Sequence, residues 1–166
     1  MADKSSDKDK TIEQIVIGAV KYSVLKVGAT QDVAFDIETS VSLDGNSGPY
    51  LQYTYARTQS VLRKSGNKKY PLTIDTYTIE SEELVLLRLM SKFEEVVADA
   101  AEKYSPNILT NYLFELAQSF NLFYQKLTIL KAEGEAKAFR LALTAAVGHT
   151  MKSGLHLLGI QAPEQM

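Results

Sequence analysis

The sequence predicts a mostly α chain whose C-terminal half is an up-and-down helical bundle. Three observations predict it. Leu113, Leu116, Phe120, Phe123 and Leu127 recur at three- and four-residue steps, the stripe of a helix packed on other helices. Leu141, Ala145, Gly148, Met151, Leu155 and Leu158 repeat that pattern further on. Helix breakers separate such stretches, at Gly66 and Pro71, at Pro106 and at Gly134. Residues 76–166 therefore read as a bundle. The preceding segment is less regular and carries one β-rich run.

Residues 1–10 are polar, with Lys and Asp interleaved, and read as a flexible start or a frayed helix end. Residues 11–26 form a helix: Thr11 and Glu13 serve its first turn, and Ile12, Ile15, Ala19, Tyr22 and Val24 or Leu25 make its apolar stripe. Gly28 ends it. Residues 33–37 are β-rich between Asp32 and Glu38 and read as a strand. Asp44-Gly45-Asn46 is a turn or loop. A helix follows over residues 49–64, opened by Gly48-Pro49, because proline suits a first helical turn where its missing N–H costs nothing. Residues 65–71 are the linker candidate. Residues 80–103 form one long helix with Leu84, Leu87, Phe93 and Val97 on its apolar side. Ser105 caps the next helix and Pro106 enters its first turn. The last helix covers residues 136–158, with Gly159 as its C-cap and Pro163 preventing continuation.

Length and composition bound the function. A chain of 166 residues holds one ordinary domain, or a small domain plus a piece of another. Hydrophobic residues at 45% and charged residues at 23% are normal for a soluble globular protein. No apolar run approaches the ~20 residues that cross a bilayer, and no secretory signal opens the chain. Cysteine is absent, which excludes disulfides and thiolate metal sites and fits a cytoplasmic protein. The net charge of −2 conceals a local imbalance. Residues 45–74 hold no acid but carry Arg57, Arg63, Lys64, Lys68 and Lys69, interleaved with Tyr50, Tyr53, Tyr55 and Tyr70. Basic residues among aromatics suit an RNA surface; a charge cluster is also the ordinary face of a solvated helix end.

Catalytic chemistry is missing. No glycine-rich loop followed by Lys and Ser or Thr cradles a phosphate. His149 and His156 lie seven apart on one helical face, without a third ligand at a sensible spacing, so no metal site is expected. Glu80, Glu82 and Glu83 sit at a helix start, where carboxylates complement the dipole. Catalytic residues are therefore expected to be none.

Binding chemistry remains. The run Gly48-Pro49-Tyr50-Leu51-Gln52-Tyr53-Thr54-Tyr55-Ala56-Arg57 places Tyr50, Tyr53 and Arg57 on or near one helical face. That face can stack on bases and pair with phosphate, or it can be a half-buried packing face. Tyr124 and Asn121 lie off the Leu113–Leu127 stripe. They are either exposed for contact, or Tyr124 plugs the bundle edge while Asn121 caps a loop.

The order of these residues closely resembles arginyl-tRNA synthetase, a class I aminoacyl-tRNA synthetase. Residues 35–38 and 45–57, then Ser60-Val61-Leu62-Arg63-Lys64, are similar to the segment leading from that family's catalytic domain into its DALR-type anticodon-binding domain. Residues 111–118, with Phe120-Asn121 and Phe123-Tyr124, are a second match. The tail, residues 154–160 and Pro163-Glu164-Gln165-Met166, is a third. The resemblance covers residues 12–166 and divides the chain. Residues 1–10 are a flexible start, 11–70 end an α/β catalytic domain, and 71–166 form an all-α anticodon-binding domain.

Much follows as implication. The parent enzyme attaches arginine to tRNA(Arg) using ATP and magnesium, in the cytoplasm, as a monomer. The HIGH- and KMSKS-type motifs of that chemistry are absent, so this chain is expected to bind tRNA without activating arginine and to need no cofactor of its own. Its partners are tRNA(Arg) and the rest of the catalytic domain, with no membrane. An anticodon presents splayed bases that aromatic faces stack on and amides read. On the resemblance, Asn111, Tyr112, Gln118, Asn121, Tyr124 and Met166 meet the anticodon. Tyr50, Gln52, Tyr53, Arg57 and Arg63 face the tRNA body or the domain junction. The competing reading is a free-standing helical module that binds tRNA or protein without enzymatic activity.

Overall fold

The computed structural model describes residues 4–66 and 76–166. Seven helices appear among them, in the order α1 (Lys4–Leu25), α2 (Ile37–Val41), α3 (Gly48–Ser65), α4 (Ser81–Ser91), α5 (Phe93–Glu102), α6 (Pro106–Lys126) and α7 (Gly134–Leu157). Most of the proposed linker, residues 67–71, lies outside the described residues, as do Lys68, Lys69 and Tyr70 of the basic patch. Helix α3 packs on α1, α6 and α7, so it is the element shared by the two halves of the chain. Its ends explain its extent. The Ser47 hydroxyl accepts the Tyr50 N–H at 3.1 Å, Pro49 occupies the first turn, and Gly66 turns left-handed at φ 67° to donate to the Arg63 carbonyl.

Several expectations need correction. No strand exists among the described residues, and residues 33–36 run without ladder partners. A lone strand has no neighbour to satisfy its backbone. Here Asp36 instead accepts the Thr39 N–H at 2.8 Å and caps α2, and that bond holds its carboxyl below the usual range. Helix α1 begins at Lys4, ahead of the expected start at residue 11. Of its expected stripe, Ala19 and Tyr22 are buried and Ile15 and Leu25 half-buried, whereas Ile12 and Val24 are exposed. The single helix over residues 80–103 is two helices broken at Lys92, which lets both α4 and α5 lie on α6. Leu86 and Leu89 then enter the core, Leu87, Phe93 and Val97 pack against it half-buried, and Leu84 is exposed. Ser105 makes no side-chain cap; its hydroxyl donates to the Lys103 carbonyl at 3.0 Å.

The core follows the two predicted stripes. Leu113, Leu116, Phe120 and Phe123 of α6 and Leu141, Met151 and Leu155 of α7 are buried, while Ala145 is half-buried. Tyr22, Leu51 and Tyr55 extend that core under α1 and α3. The α1–α3 crossing is close enough that a Cβ on Gly48 would stand 2.5 Å from the Gly18 carbonyl oxygen. Backbone cannot yield as a side-chain tip does. Gly48→Ala is therefore expected to cost roughly 1–3 kcal/mol, read as a lowered urea midpoint at unchanged m-value.

One face of α1 is left uncovered. Ile12, Val16, Val20 and Val24 are about half exposed on it, and Phe35 and Ile37 are exposed nearby.

Candidate nucleic-acid interface

Two helices build the site. Helix α3 presents Tyr50, Tyr53 and Arg57, and α6 presents Gln118, Asn121 and Tyr124. The Arg57 guanidinium stands between two rings, 4.7 Å from the Tyr53 centroid and 5.1 Å from that of Tyr124. It donates to Asn121 Oδ1 at 2.6 Å and to the Tyr53 hydroxyl at 3.1 Å, keeping further donors to spare. Asn121 Nδ2 donates to the Tyr50 hydroxyl at 2.9 Å and to Thr54 Oγ1 at 3.1 Å. The Tyr50 ring meets Phe114 edge-on at 5.7 Å. Asn121 thus fastens α6 to α3, and its contacts orient Arg57.

Arg57 and Tyr53 divide two open grooves. One, of ≈ 350 Å³, is lined by Ser60, Arg63, Lys64, Tyr124 and Met166. The other, of ≈ 330 Å³, is lined by Asp44, Tyr50, Gln118, Asn121 and Gln125. Both fall in the roughly 300–1,000 Å³ range of small-ligand sites. The first is positively charged and aromatic; the second is rich in amides. Tyr124 is 42% exposed and Met166 43%, so each offers an apolar surface to the first groove.

The C-terminal segment reaches this groove by crossing α1 and α3. Ile160 and Pro163 are buried. Lys21 donates to the Gly159 carbonyl at 2.5 Å and Arg63 to the Glu164 carbonyl at 3.1 Å. Gln52 is fully buried, with Nε2 donating to the carbonyls of Gln14 at 3.0 Å and Gln161 at 2.7 Å.

Of the residues expected at an anticodon, the structure brings Gln118, Asn121, Tyr124 and Met166 to the two grooves. It joins to them Tyr50, Tyr53, Arg57 and Arg63, expected elsewhere. Asn111 is exposed but lines neither groove. Tyr112 is turned inward: it is buried, its hydroxyl donates to the Leu89 carbonyl at 3.0 Å, and burial pushes its pKa up to about 12. Its ring therefore has no free face for a base. Gln52 is likewise turned inward and lines neither groove. Gln125 was not anticipated as a groove residue, and Lys64 was expected only as part of the basic patch. Their seven-residue spacing from Arg57 and Gln118, two helical turns along the same face, is the signal that would have found them.

Comparison with known proteins gives the family of the chain. The model of the DALR anticodon binding domain matches residues 51–166. An arginine–tRNA ligase of Phocaeicola vulgatus is 40% identical over 164 residues, covering 96% of this chain. One of Frankia casuarinae is 41% identical over 160 residues. The chain spans only 27% of the length of each of these relatives. Among solved structures, the arginyl-tRNA synthetase of Thermus thermophilus superposes with a TM-score of 0.86 at 34% identity, over 92% of this chain and 27% of that one. That of Plasmodium falciparum gives 0.84 at 25% identity, over 98% of this chain and 29% of that one. The chain belongs to the DALR anticodon-binding domain family, in the form found in arginyl-tRNA synthetases.

Proposed function

We propose that this chain is the C-terminal portion of an arginine–tRNA ligase and takes up anticodon bases of tRNA(Arg) in the grooves beside Arg57. The observation that carries this is the Arg57 guanidinium held between the Tyr53 and Tyr124 rings, next to Met166. Unstacked bases lie on aromatic and guanidinium planes, while amides such as Gln118 and Gln125 read base edges. Asn121 contributes by holding Arg57 and Tyr50, and Arg63 and Lys64 supply charge for phosphate.

On this reading residues 11–70 end the catalytic domain and 71–166 form the anticodon-binding domain, with α3 packed on both. The exposed apolar face of α1 and the nearby Phe35 and Ile37 favour contact with the rest of that catalytic domain over a free-standing module. The parent enzyme would join arginine to tRNA with ATP and magnesium, in the cytoplasm and as a monomer. The residues present do not fit either cofactor. HIGH- and KMSKS-type motifs are missing, and the described residues hold no group of three or more His, Cys, Asp or Glu suited to a metal. No described helix is long and apolar enough to cross a membrane. Filter binding with arginine-tRNA transcripts, unaltered and anticodon-substituted, tests the proposal. The unaltered transcript should be retained preferentially at matched salt; equal retention of both would sink it.

A further inference from the structure

We propose that Gln52 is a positioning residue that sets Met166 at the groove by locking the C-terminal segment to α1. The inference rests on the anticodon-binding reading above and deepens it. Gln52 lies in α3, yet its side chain serves two other elements. One amide group bridges the Gln14 carbonyl of α1 and the Gln161 carbonyl of the C-terminal segment. Gly18 leaves the space it occupies, since a Cβ there would stand 2.7 Å from Gln52 Nε2. Gln14 adds a second link, its Nε2 donating to Gln161 Oε1 at 2.6 Å. With Lys21 on Gly159 and Arg63 on Glu164, the segment is gripped before, at and after Gln161. Met166 lies two residues past the last grip and lines the groove.

The balance of bonds separates positioning from plain stabilisation. Gln52 Oε1 is buried without a hydrogen-bond partner among the described residues. An unsatisfied buried acceptor offsets much of what the two donated bonds contribute. An apolar side chain of similar shape removes that orphaned acceptor but leaves the Gln161 carbonyl without its donor, so the two effects on stability largely offset each other. What it would remove is the fixed register between α1 and the segment carrying Met166. The amide is thus better explained by geometry than by stability.

The test uses the full chain and a fluorescent arginine-tRNA anticodon stem–loop as the probe, at one fixed salt concentration. Gln52→Met should melt within a few degrees of the wild type and bind about five- to tenfold more weakly. Deleting Met166 should weaken the wild type by a similar factor and add nothing further in the Gln52→Met background. Should Gln52→Met fail to fold, Lys21→Met at the exposed grip on Gly159 replaces it, with about a two- to threefold loss expected. Here too, Met166 deletion should remove the variant's effect. Wild-type affinity in the folded variant, or losses that simply add, would overturn the inference while a Met166 deletion that still weakens binding leaves the anticodon reading standing. No effect from either Met166 deletion or Arg57→Ala would overturn both.

Discussion

Glu83→Ala is expected to lower the unfolding free energy by about 3–5 kcal/mol, the largest loss from any single substitution considered for this chain. Glu83 has no exposed surface, and Arg140 Nε donates to its Oε1 at 2.8 Å. The Tyr77 hydroxyl bonds both carboxylate oxygens, at 2.7 and 2.9 Å, and the Glu80 N–H donates to Oε2 at 2.8 Å. Arg140 also reaches the Thr128 carbonyl at 2.9 Å and the Tyr77 hydroxyl at 3.1 Å. The network thus ties the start of α4 to α7 and to the α6–α7 connection. Burial opposes the charge on Arg140, but its bonds to Glu83 and Tyr77 more than offset that and hold its pKa above the ordinary value. Removing Glu83 strands a guanidinium that cannot discharge at any working pH. Removing both partners strands no charge, although the Tyr77 hydroxyl, the Glu80 N–H and the Thr128 carbonyl each lose a bond, so Glu83→Leu combined with Arg140→Met should recover part of the loss. Urea unfolding of the two single variants and the double variant decides this. A Glu83→Ala midpoint close to wild type would contradict it.

Arg57→Ala is expected to weaken binding of the arginine-tRNA anticodon stem–loop by ~1–3 kcal/mol, about five- to 150-fold. The loss has two sources. The cation between the Tyr53 and Tyr124 rings disappears, and Asn121 loses the donor on its Oδ1. Arg57→Lys should not restore binding, because an ammonium neither spreads between two rings nor keeps the planar fork that reaches Asn121 and Tyr53 together. Thermal stability should fall much less than for Glu83→Ala, since Arg57 and Tyr124 are partly open to water. Fluorescence anisotropy at constant ionic strength reads the effect. Full binding by the lysine variant would refute the stacked arrangement and leave only a charge contribution.

The helical bundle was legible because α6 and α7 carry continuous apolar stripes, and a stripe reports on packing whatever its neighbours are. The N-terminal part was harder to read, because its apolar residues do not all face this chain's own core. Residues 33–37 have strand composition, and Ile12 and Val24 continue a plausible helical stripe, yet all are exposed or without ladder partners. Composition cannot say whether an apolar face meets this chain or another part of a larger protein. Glu83 illustrates a different limit. A carboxylate at a helix start looks like a solvated dipole partner, and only its pairing with Arg140, 57 positions away, makes it a buried ion. The groove was half legible: local spacing brought Tyr53 and Arg57 together, but the register of α3 against α6 sets Tyr124 over the same guanidinium. Tyr112 failed as a base contact because neighbours on one helix, Asn111 and Tyr112, point in different directions.

The bare crossing of Gly18 and Gly48 has a mechanical meaning. Where two helices meet through side chains, rotamer changes absorb small displacements. Where they meet backbone to backbone, there is nothing soft between them. A tilt imposed on α1 would reach α3 almost undamped, and α3 carries Tyr53 and Arg57. The two glycines thus make a stiff joint, so that strain applied at the outer face of α1 would be felt as movement at the groove.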